Sequence, residues 1–88
     1  MSLLTADDIK ITYGKLDKML VRLGYKQQQL NGAHYIYSNK SSLVAIKRAP
    51  KNYKVPRIVV SSVVTNILNS KIANPAKIRA AYEAVENS

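Results

Sequence analysis

The stretch that decides the fold reads YKQQQLNGAHYIY and runs from Tyr25 to Tyr37. Asn-Gly between two strand-like segments is the strongest two-residue signal for a type I′ hairpin turn. Asn31-Gly32 therefore predicts a turn that joins a polar, glutamine-rich strand over residues 25–30 to a second strand over residues 33–37. The second segment is rich in the tyrosine and β-branched side chains that favour strands.

A third strand is predicted after this hairpin. Residues 38–42 read SNKSS, which is a loop by composition, and residues 43–46 read LVAI, an apolar run of strand length. Pro50 ends the strand because proline cannot donate to a sheet ladder, and residues 50–54 are predicted to form an exposed basic loop. The three segments together predict an antiparallel meander.

A helix is predicted before the hairpin. The spacing i, i+3, i+4, i+7 of one buried helical face is found in four apolar residues: Leu16, Met19, Leu20 and Leu23. Gly24 follows where a left-handed cap would end the helix. Thr5 and Asp8 resemble a capping box, but Gly14 would cost about 1 kcal/mol inside a helix. The helix is therefore predicted to begin near Thr12, and residues 1–11 are predicted to form an N-terminal appendage that is extended, helical or frayed.

Two helices are predicted after the sheet. Pro56 suits a first helical turn, and a helical period follows it at Val60, Val63, Val64, Ile67, Leu68 and Ile72. A competing interpretation makes residues 55–60 a short strand and begins the helix at Ser61 or Ser62. Asn74 as N-cap with Pro75 behind it predicts a last helix, whose apolar stripe is Ile78, Ala81, Tyr82 and Val85. The predicted fold is a single α+β domain over residues 1–88, with the order α-β-β-β-α-α.

Composition excludes several classes of protein. The chain has 88 residues, enough for one small domain. It contains no cysteine, so a disulfide framework and thiolate zinc sites are excluded. The sequence shows neither a signal peptide nor an apolar run of the roughly 18 residues that a membrane-spanning helix needs. The cytoplasm is the expected location, and no membrane association is predicted.

The charge is strongly positive and unevenly placed. Lys and Arg number 14 against 5 Asp and Glu, a formal net charge of +9, and no acid lies between Lys18 and Tyr82. A basic region of this kind favours nucleic acid as a partner, although a basic surface that serves only solubility remains the alternative. The densest group has five charges within 11 positions: Lys47, Arg48, Lys51, Lys54 and Arg57. These residues are predicted to bind RNA backbone, with Tyr53 among them able to stack on a base; an ordinary solvated loop is the other interpretation.

Catalytic residue types are scarce. One histidine, His34, and five acids near the chain ends cannot supply a zinc hydrolase or a two-metal nuclease. Neither GxxxxGK(S/T) nor GxGxxG occurs, so no nucleotide-hydrolysing or dinucleotide site is expected. The sequence thus predicts no metal and no cofactor, and it leaves His34 as the only candidate for proton transfer near neutral pH.

The residues around His34 resemble a known family. A helix ending in Leu23-Gly24-Tyr25, a short polar strand and then Gly-Ala-His-Tyr-Ile-Tyr are similar to the HicA, or YcfA-like, family of mRNA-interferase toxins. The family motif is Gly-Ser-His, two variable residues and Phe or Tyr, which Gly32, His34 and Tyr37 match. The resemblance spans about residues 13–72. The chain departs from the family at Ala33, where the family usually has Ser. The end of the third strand lacks the Pro and the second His often seen there. Residues 1–11 and 74–88 have no counterpart in the family fold.

The resemblance implies a fold like that of double-stranded RNA-binding domains and a metal-independent mRNA endoribonuclease that depends on His34. It also implies that Gly32 and the basic residues hold RNA, and that a HicB-like antitoxin covers this surface. Two alternatives stay open: a non-catalytic RNA-binding module on the same fold, and a DNA-binding protein that uses the last two helices as a helix-turn-helix. The oligomeric state is open. Strand alternation adds a geometric condition, because a functional His34 requires Tyr35 and Tyr37 to pack beneath the helices.

Overall fold

The computed structural model of the chain describes residues 9–87. Its elements, in chain order, are α1 (Tyr13–Arg22), β1 (Lys26–Asn31), β2 (His34–Asn39), β3 (Ser42–Lys47), α2 (Arg57–Asn69) and α3 (Pro75–Glu86). The predicted α+β order of one helix, three antiparallel strands and two helices is confirmed. The resemblance of Thr5 and Asp8 to a capping box lies outside the described residues. None of the helices within residues 9–87 has the length and apolar character needed to cross a membrane.

Helix α1 begins and ends where its sequence signals indicate. The Thr12 side chain accepts a hydrogen bond from the Lys15 N–H at 3.4 Å, as an N-cap should. Gly24 follows the helix with φ +92°, which confirms the left-handed cap. A Cβ at Gly24 would lie 2.9 Å from Nδ2 of Asn39, and that amide donates to the Leu23 carbonyl at 3.0 Å. Glycine is therefore required here by both backbone conformation and close approach.

The first hairpin is correct in kind, but its predicted turn is wrong by one residue. Asn31 pairs with His34, so Gly32 and Ala33 form the turn. Gly32 is not among the residues with a positive φ, which a type I′ turn on Asn31-Gly32 would require. A register shift between Gln29 and Asn31 explains the difference. β1 has one extra residue between these two residues, so the turn lies one residue later in the chain than predicted. The side chains of β2 remain on the same faces of the sheet.

The second hairpin is tighter than composition predicts. The predicted loop over residues 38–42 is a two-residue turn of Lys40 and Ser41, because Asn39 pairs with Ser42. Ser42 is 1% exposed, which is unusual for a polar residue. Its hydroxyl lies 2.7 Å from that of Tyr25 and donates to Oδ1 of Asn66 at 2.6 Å. Those hydrogen bonds allow Ser42 to join β3 and enter the core.

The two C-terminal helices follow the periodicity of their sequence. Helix α2 begins at Arg57 directly after Pro56, so the competing strand over residues 55–60 is wrong. Its buried residues are Val60, Val63, Val64 and Ile67. Helix α3 is capped by Asn74, whose side chain accepts from the Lys77 N–H at 2.8 Å, and has Pro75 in its first turn. Helix α2 packs chiefly against β3 and α3 against α1, an arrangement that does not favour a helix-turn-helix pair.

The sheet has an inner face toward the helices and an outer face away from them. The strand order is β1-β2-β3, and along β3 buried and exposed side chains alternate. The outer face carries the side chains of Lys26, Gln28, His34, Ile36, Ser38, Leu43, Ala45 and Lys47. All of these are exposed except Ile36 and Ser38, which are half-buried.

The segment before α1 takes part in the core. Ile9 and Ile11, which the sequence assigned to the N-terminal appendage, are 3% and 2% exposed. The Ile11 carbonyl accepts from the Val55 N–H at 2.8 Å, and Thr12 forms a β-bridge with Lys54. Residues 9–11 are thus held by the chain between β3 and α2, a contact that local periodicity cannot reveal.

Candidate nucleic-acid interface

His34 is the first residue of β2 and is exposed on the outer face. Its register partner on β3 is Lys47. Directly opposed residues in an antiparallel pair have Cβ atoms about 4.5–5.5 Å apart on the same face. His34 and Lys47 are therefore neighbouring residues on an exposed surface. Tyr37 is buried and Tyr35 half-buried on the inner face, so the geometric condition for a functional His34 is met.

Arg48 holds the hairpin that carries His34. Its backbone N–H donates to the Ala33 carbonyl at 3.0 Å, and its guanidinium donates to the Gly32 carbonyl at 3.2 Å. The guanidinium carbon also lies 5.2 Å from the centroid of the Tyr35 ring, within the range of a cation–π contact. Arg48 thus fixes the turn as well as adding positive charge beside His34. The structure brings together Gly32, His34, Lys47 and Arg48 at one end of the sheet.

The remaining basic residues lie on the helix side of the same end. The loop that carries Lys51 and Lys54 is bound to the start of α1, because the N–H groups of Tyr13 and Gly14 donate to the carbonyls of Tyr53 and Lys51, both at 2.9 Å. A Cβ on Gly14 would lie 3.1 Å from Cβ of Lys51, which explains a glycine inside a helix. Lys51, Lys54 and Arg57 are exposed.

Charge is separated between the two sides of the molecule. Within residues 9–87, the carboxylates are Asp17 on α1 and Glu83 and Glu86 on α3. Glu86 lies 3.4 Å from Nζ of Lys15, and Glu83 lies 3.9 Å from the Arg79 guanidinium. The outer face therefore carries positive charge with no described carboxylate among it. The same range holds no group of three or more His, Cys, Asp or Glu side chains that could hold a metal ion.

Sequence reasoning missed a cleft of about 350 Å³ between α1, the inner face of the sheet and the loop after β3. We call it the tyrosine cleft, and its main side chains are Tyr13, Asp17, Gln27, Tyr35, Tyr37 and Lys51. The Tyr37 hydroxyl donates to Oδ1 of Asp17 at 2.6 Å and accepts from Nε2 of Gln27 at 2.9 Å. Nε2 of Gln27 also donates to the same Asp17 oxygen at 3.0 Å. The sequence could have indicated this cleft only through the pairing of Gln27 with Tyr37. That pairing follows from a turn at Gly32 and Ala33 with the register shift in β1, whereas the sequence predicted the turn at Asn31 and Gly32.

The hydrogen-bonded group in the tyrosine cleft gives a pH-dependent contribution to stability. Burial raises the pKa of the Tyr37 hydroxyl, and its hydrogen bond to the Asp17 carboxylate raises the pKa further. The protonated phenol is therefore favoured in the folded state over the unfolded state, where the pKa is about 10. This contribution is complete below that value and is lost as the pH rises above it.

We expect the free energy of unfolding to fall above about pH 10 more steeply in the wild type than in Tyr37→Phe, which lacks the ionisable hydroxyl. Urea unfolding of both proteins at about pH 8 and about pH 11 measures the difference, and lysine deprotonation is common to both. Tyrosinate absorbance supplies a second readout, since burial raises the pKa of the Tyr37 phenol above the ordinary value of about 10. Equal pH dependence in the two proteins would contradict the expectation.

We compared the chain with known proteins and structures. No protein-family model, curated protein or solved structure matches this chain. The interpretation of the site depends on the residues and distances given above.

Proposed function

We propose that this protein binds single-stranded RNA at the His34 end of the sheet and cleaves it without a metal, as a cytoplasmic mRNA endoribonuclease of the HicA-like toxin type. The observation that carries the proposal is the exposed imidazole of His34 directly opposite Lys47 on an open, basic face. An imidazole transfers protons near neutral pH, and an adjacent ammonium binds phosphate. This pair would supply one of the two proton transfers of RNA cleavage and a positive charge for the phosphate.

RNA carries its own nucleophile in the 2′-hydroxyl. In the proposed reaction the 2′-oxygen forms a bond to the adjacent phosphorus as it loses its proton, and the bond from phosphorus to the 5′-oxygen breaks as that oxygen gains one. The products end in a 2′,3′-cyclic phosphate and a 5′-hydroxyl. His34 performs one of these proton transfers as general acid or base. Water or a Lys or Tyr side chain performs the other, and the Lys47 ammonium stabilises the charge on the phosphoryl oxygens.

Contacts from Arg48 support the hairpin that carries His34. Arg48 donates hydrogen bonds to the carbonyls of both turn residues, Gly32 and Ala33. Its guanidinium also contacts the ring of Tyr35, the residue after His34. A catalytic group is effective when the elements beneath it restrict its geometry. This support favours catalysis over a merely exposed histidine. In this proposal Arg48 positions the turn and contributes to the field that attracts phosphate.

RNA binding is tested by the dependence of affinity on salt. Binding through Lys and Arg releases counterions, so log Kobs should fall linearly with log salt, with a slope of about −0.7 for each neutralised phosphate of a single strand. Lys47→Ala should reduce that slope by about one phosphate contact. Lys77→Ala, which removes an exposed lysine from α3, is the matched control and should leave the slope unchanged. Fluorescence anisotropy with a labelled RNA measures both, and a flat salt response would overturn the proposed binding.

A second candidate is a non-catalytic RNA-binding module. It is favoured by Ala33, whose exposed methyl group stands where the HicA family has a serine hydroxyl. In that case the salt dependence and the effect of Lys47→Ala would persist while the purified protein left RNA intact. Measuring cleavage and binding on the same oligonucleotide separates the two functions.

The proposed toxin function includes a protein partner, a HicB-like antitoxin. Such a partner should present acidic side chains to the outer face, because opposite charges speed association and set its orientation. Leu43, 63% exposed on that face, would give the same partner an apolar contact. RNA and this partner would then compete for one surface.

A further inference from the structure

We propose that the tyrosine cleft binds one unpaired guanine base of the RNA. The proposal rests on the RNA binding proposed above and adds a base preference to it. The cleft opens at the end of the sheet that carries His34, since His34 and Tyr35 are consecutive residues whose side chains lie on opposite faces. A base held here would set which phosphate reaches His34.

The size and walls of the cleft suit a flat ring. Its volume of about 350 Å³ is within the range of small-ligand sites, which is about 300–1,000 Å³. Tyr13 and Tyr35 are half-buried and line it, and buried Ile46 adds apolar surface. Unpaired bases stack on aromatic side chains of this kind. Lys51, exposed at the edge of the cleft, can bind the phosphate attached to the base.

The hydrogen-bonding groups of the cleft select among the bases. Oδ1 of Asp17 accepts from Tyr37 and Gln27, and Nε2 of Gln27 uses its hydrogens on Asp17 and Tyr37. These hydrogen bonds use Oδ1 of Asp17 and Nε2 of Gln27, and each side chain has a second oxygen, Oδ2 or Oε1, that can accept. The cleft therefore offers hydrogen-bond acceptors to an incoming base.

Guanine alone presents adjacent donors on its Watson–Crick edge, the N1–H and the N2 amino group. Adenine and cytosine place an acceptor next to their amino group, and uracil places its single N–H between two carbonyls. A carboxylate oxygen facing those acceptors would gain no hydrogen bond from them, so those bases should bind more weakly. The acceptor oxygens of Asp17 and Gln27 therefore favour guanine over the other bases.

The test uses four labelled single-stranded RNAs that differ only at one central position, which is G, A, C or U in an otherwise all-uridine strand. All carry 2′-O-methyl groups so that they cannot be cleaved. Anisotropy at fixed salt should show the G strand binding about tenfold or more tightly than the others, the ratio that one hydrogen bond to a charged group produces. Asp17→Asn replaces an acceptor with a donor and should abolish this preference, so that the G strand binds no more tightly than the all-uridine strand at the same salt.

Glu83→Gln is the matched control, since it removes the same charge from an exposed position on α3 and should keep the preference. Gln27→Leu is a second variant, because Gln27 is exposed and its replacement leaves the core intact; it should weaken the preference. Circular dichroism verifies that each variant is folded. Equal binding of the four strands, or a preference that survives Asp17→Asn, would overturn the guanine site and leave RNA binding standing. Failure of every strand to bind would instead overturn the proposed function.

Discussion

His34→Ala should lower the rate of RNA cleavage by about 10²- to 10⁴-fold, the usual contribution of a general acid or base. The physical reason is that His34 is the one histidine of the chain, and imidazole is the side chain best suited to proton transfer near neutral pH. The rate is measured on single-stranded RNA with EDTA present, and the wild-type products should end in a 2′,3′-cyclic phosphate and a 5′-hydroxyl. RNA affinity should change little, because most of the binding energy comes from Lys and Arg contacts to phosphate.

Ser38→Ala provides the control for that substitution. Ser38 lies on the same strand and the same face as His34 but near the opposite end, so its replacement should leave the rate unchanged. His34 is exposed, and its replacement should not unfold the protein, which thermal unfolding verifies. Undiminished cleavage by His34→Ala would refute the catalytic role, and a requirement for a divalent metal would refute the proposed chemistry.

Ile67→Ala should be the most destabilising of the substitutions considered. Ile67 is fully buried, 0% exposed, on the face of α2 that enters the core. Truncating a buried isoleucine to alanine costs about 2–5 kcal/mol, from lost burial and the cavity left behind. Small domains have a free energy of unfolding of about 5–15 kcal/mol, so a large part of the stability is lost. The midpoint of thermal unfolding should fall by roughly 10 °C or more.

Ile58→Ala is the matched control for Ile67→Ala. Both residues are isoleucines of α2, but Ile58 is 79% exposed. A surface substitution of this kind usually changes stability by no more than about 0.5 kcal/mol, and alanine favours the helix. Urea unfolding of the three proteins gives the comparison. Similar losses from the two substitutions would mean that α2 packs by a different face from the one described.

The helices could be predicted because their signals are local. Caps and periodicity lie within a few residues of the element they define, as at Thr12 and Gly24 for α1 and at Asn74 and Pro75 for α3. The burial of one face of each helix then follows from the spacing of its apolar residues. For α2 the local signals left two starts open, and the structure begins the helix at Arg57, directly after Pro56.

Local signals could not predict the register of the sheet or the burial of Ser42. The Asn31-Gly32 pair predicted a turn that the register shift in β1 moves by one residue. Ser42 looked like a loop residue because its partners, Tyr25 and Asn66, are 17 and 24 positions away. Both errors have one cause, since long-range contacts can outweigh local preferences by satisfying a buried hydroxyl or keeping a strand face in the core.

The sequence by itself determined the element order, the helix faces, the single histidine and the concentration of positive charge between Lys18 and Tyr82, because each of these is a matter of composition or short-range spacing. Only the tertiary structure decided that His34 stands opposite Lys47, that Arg48 holds its turn, and that Asp17 and Gln27 meet at Tyr37. Those juxtapositions join residues from different elements. They exist only once strand pairing and helix packing have brought the elements together.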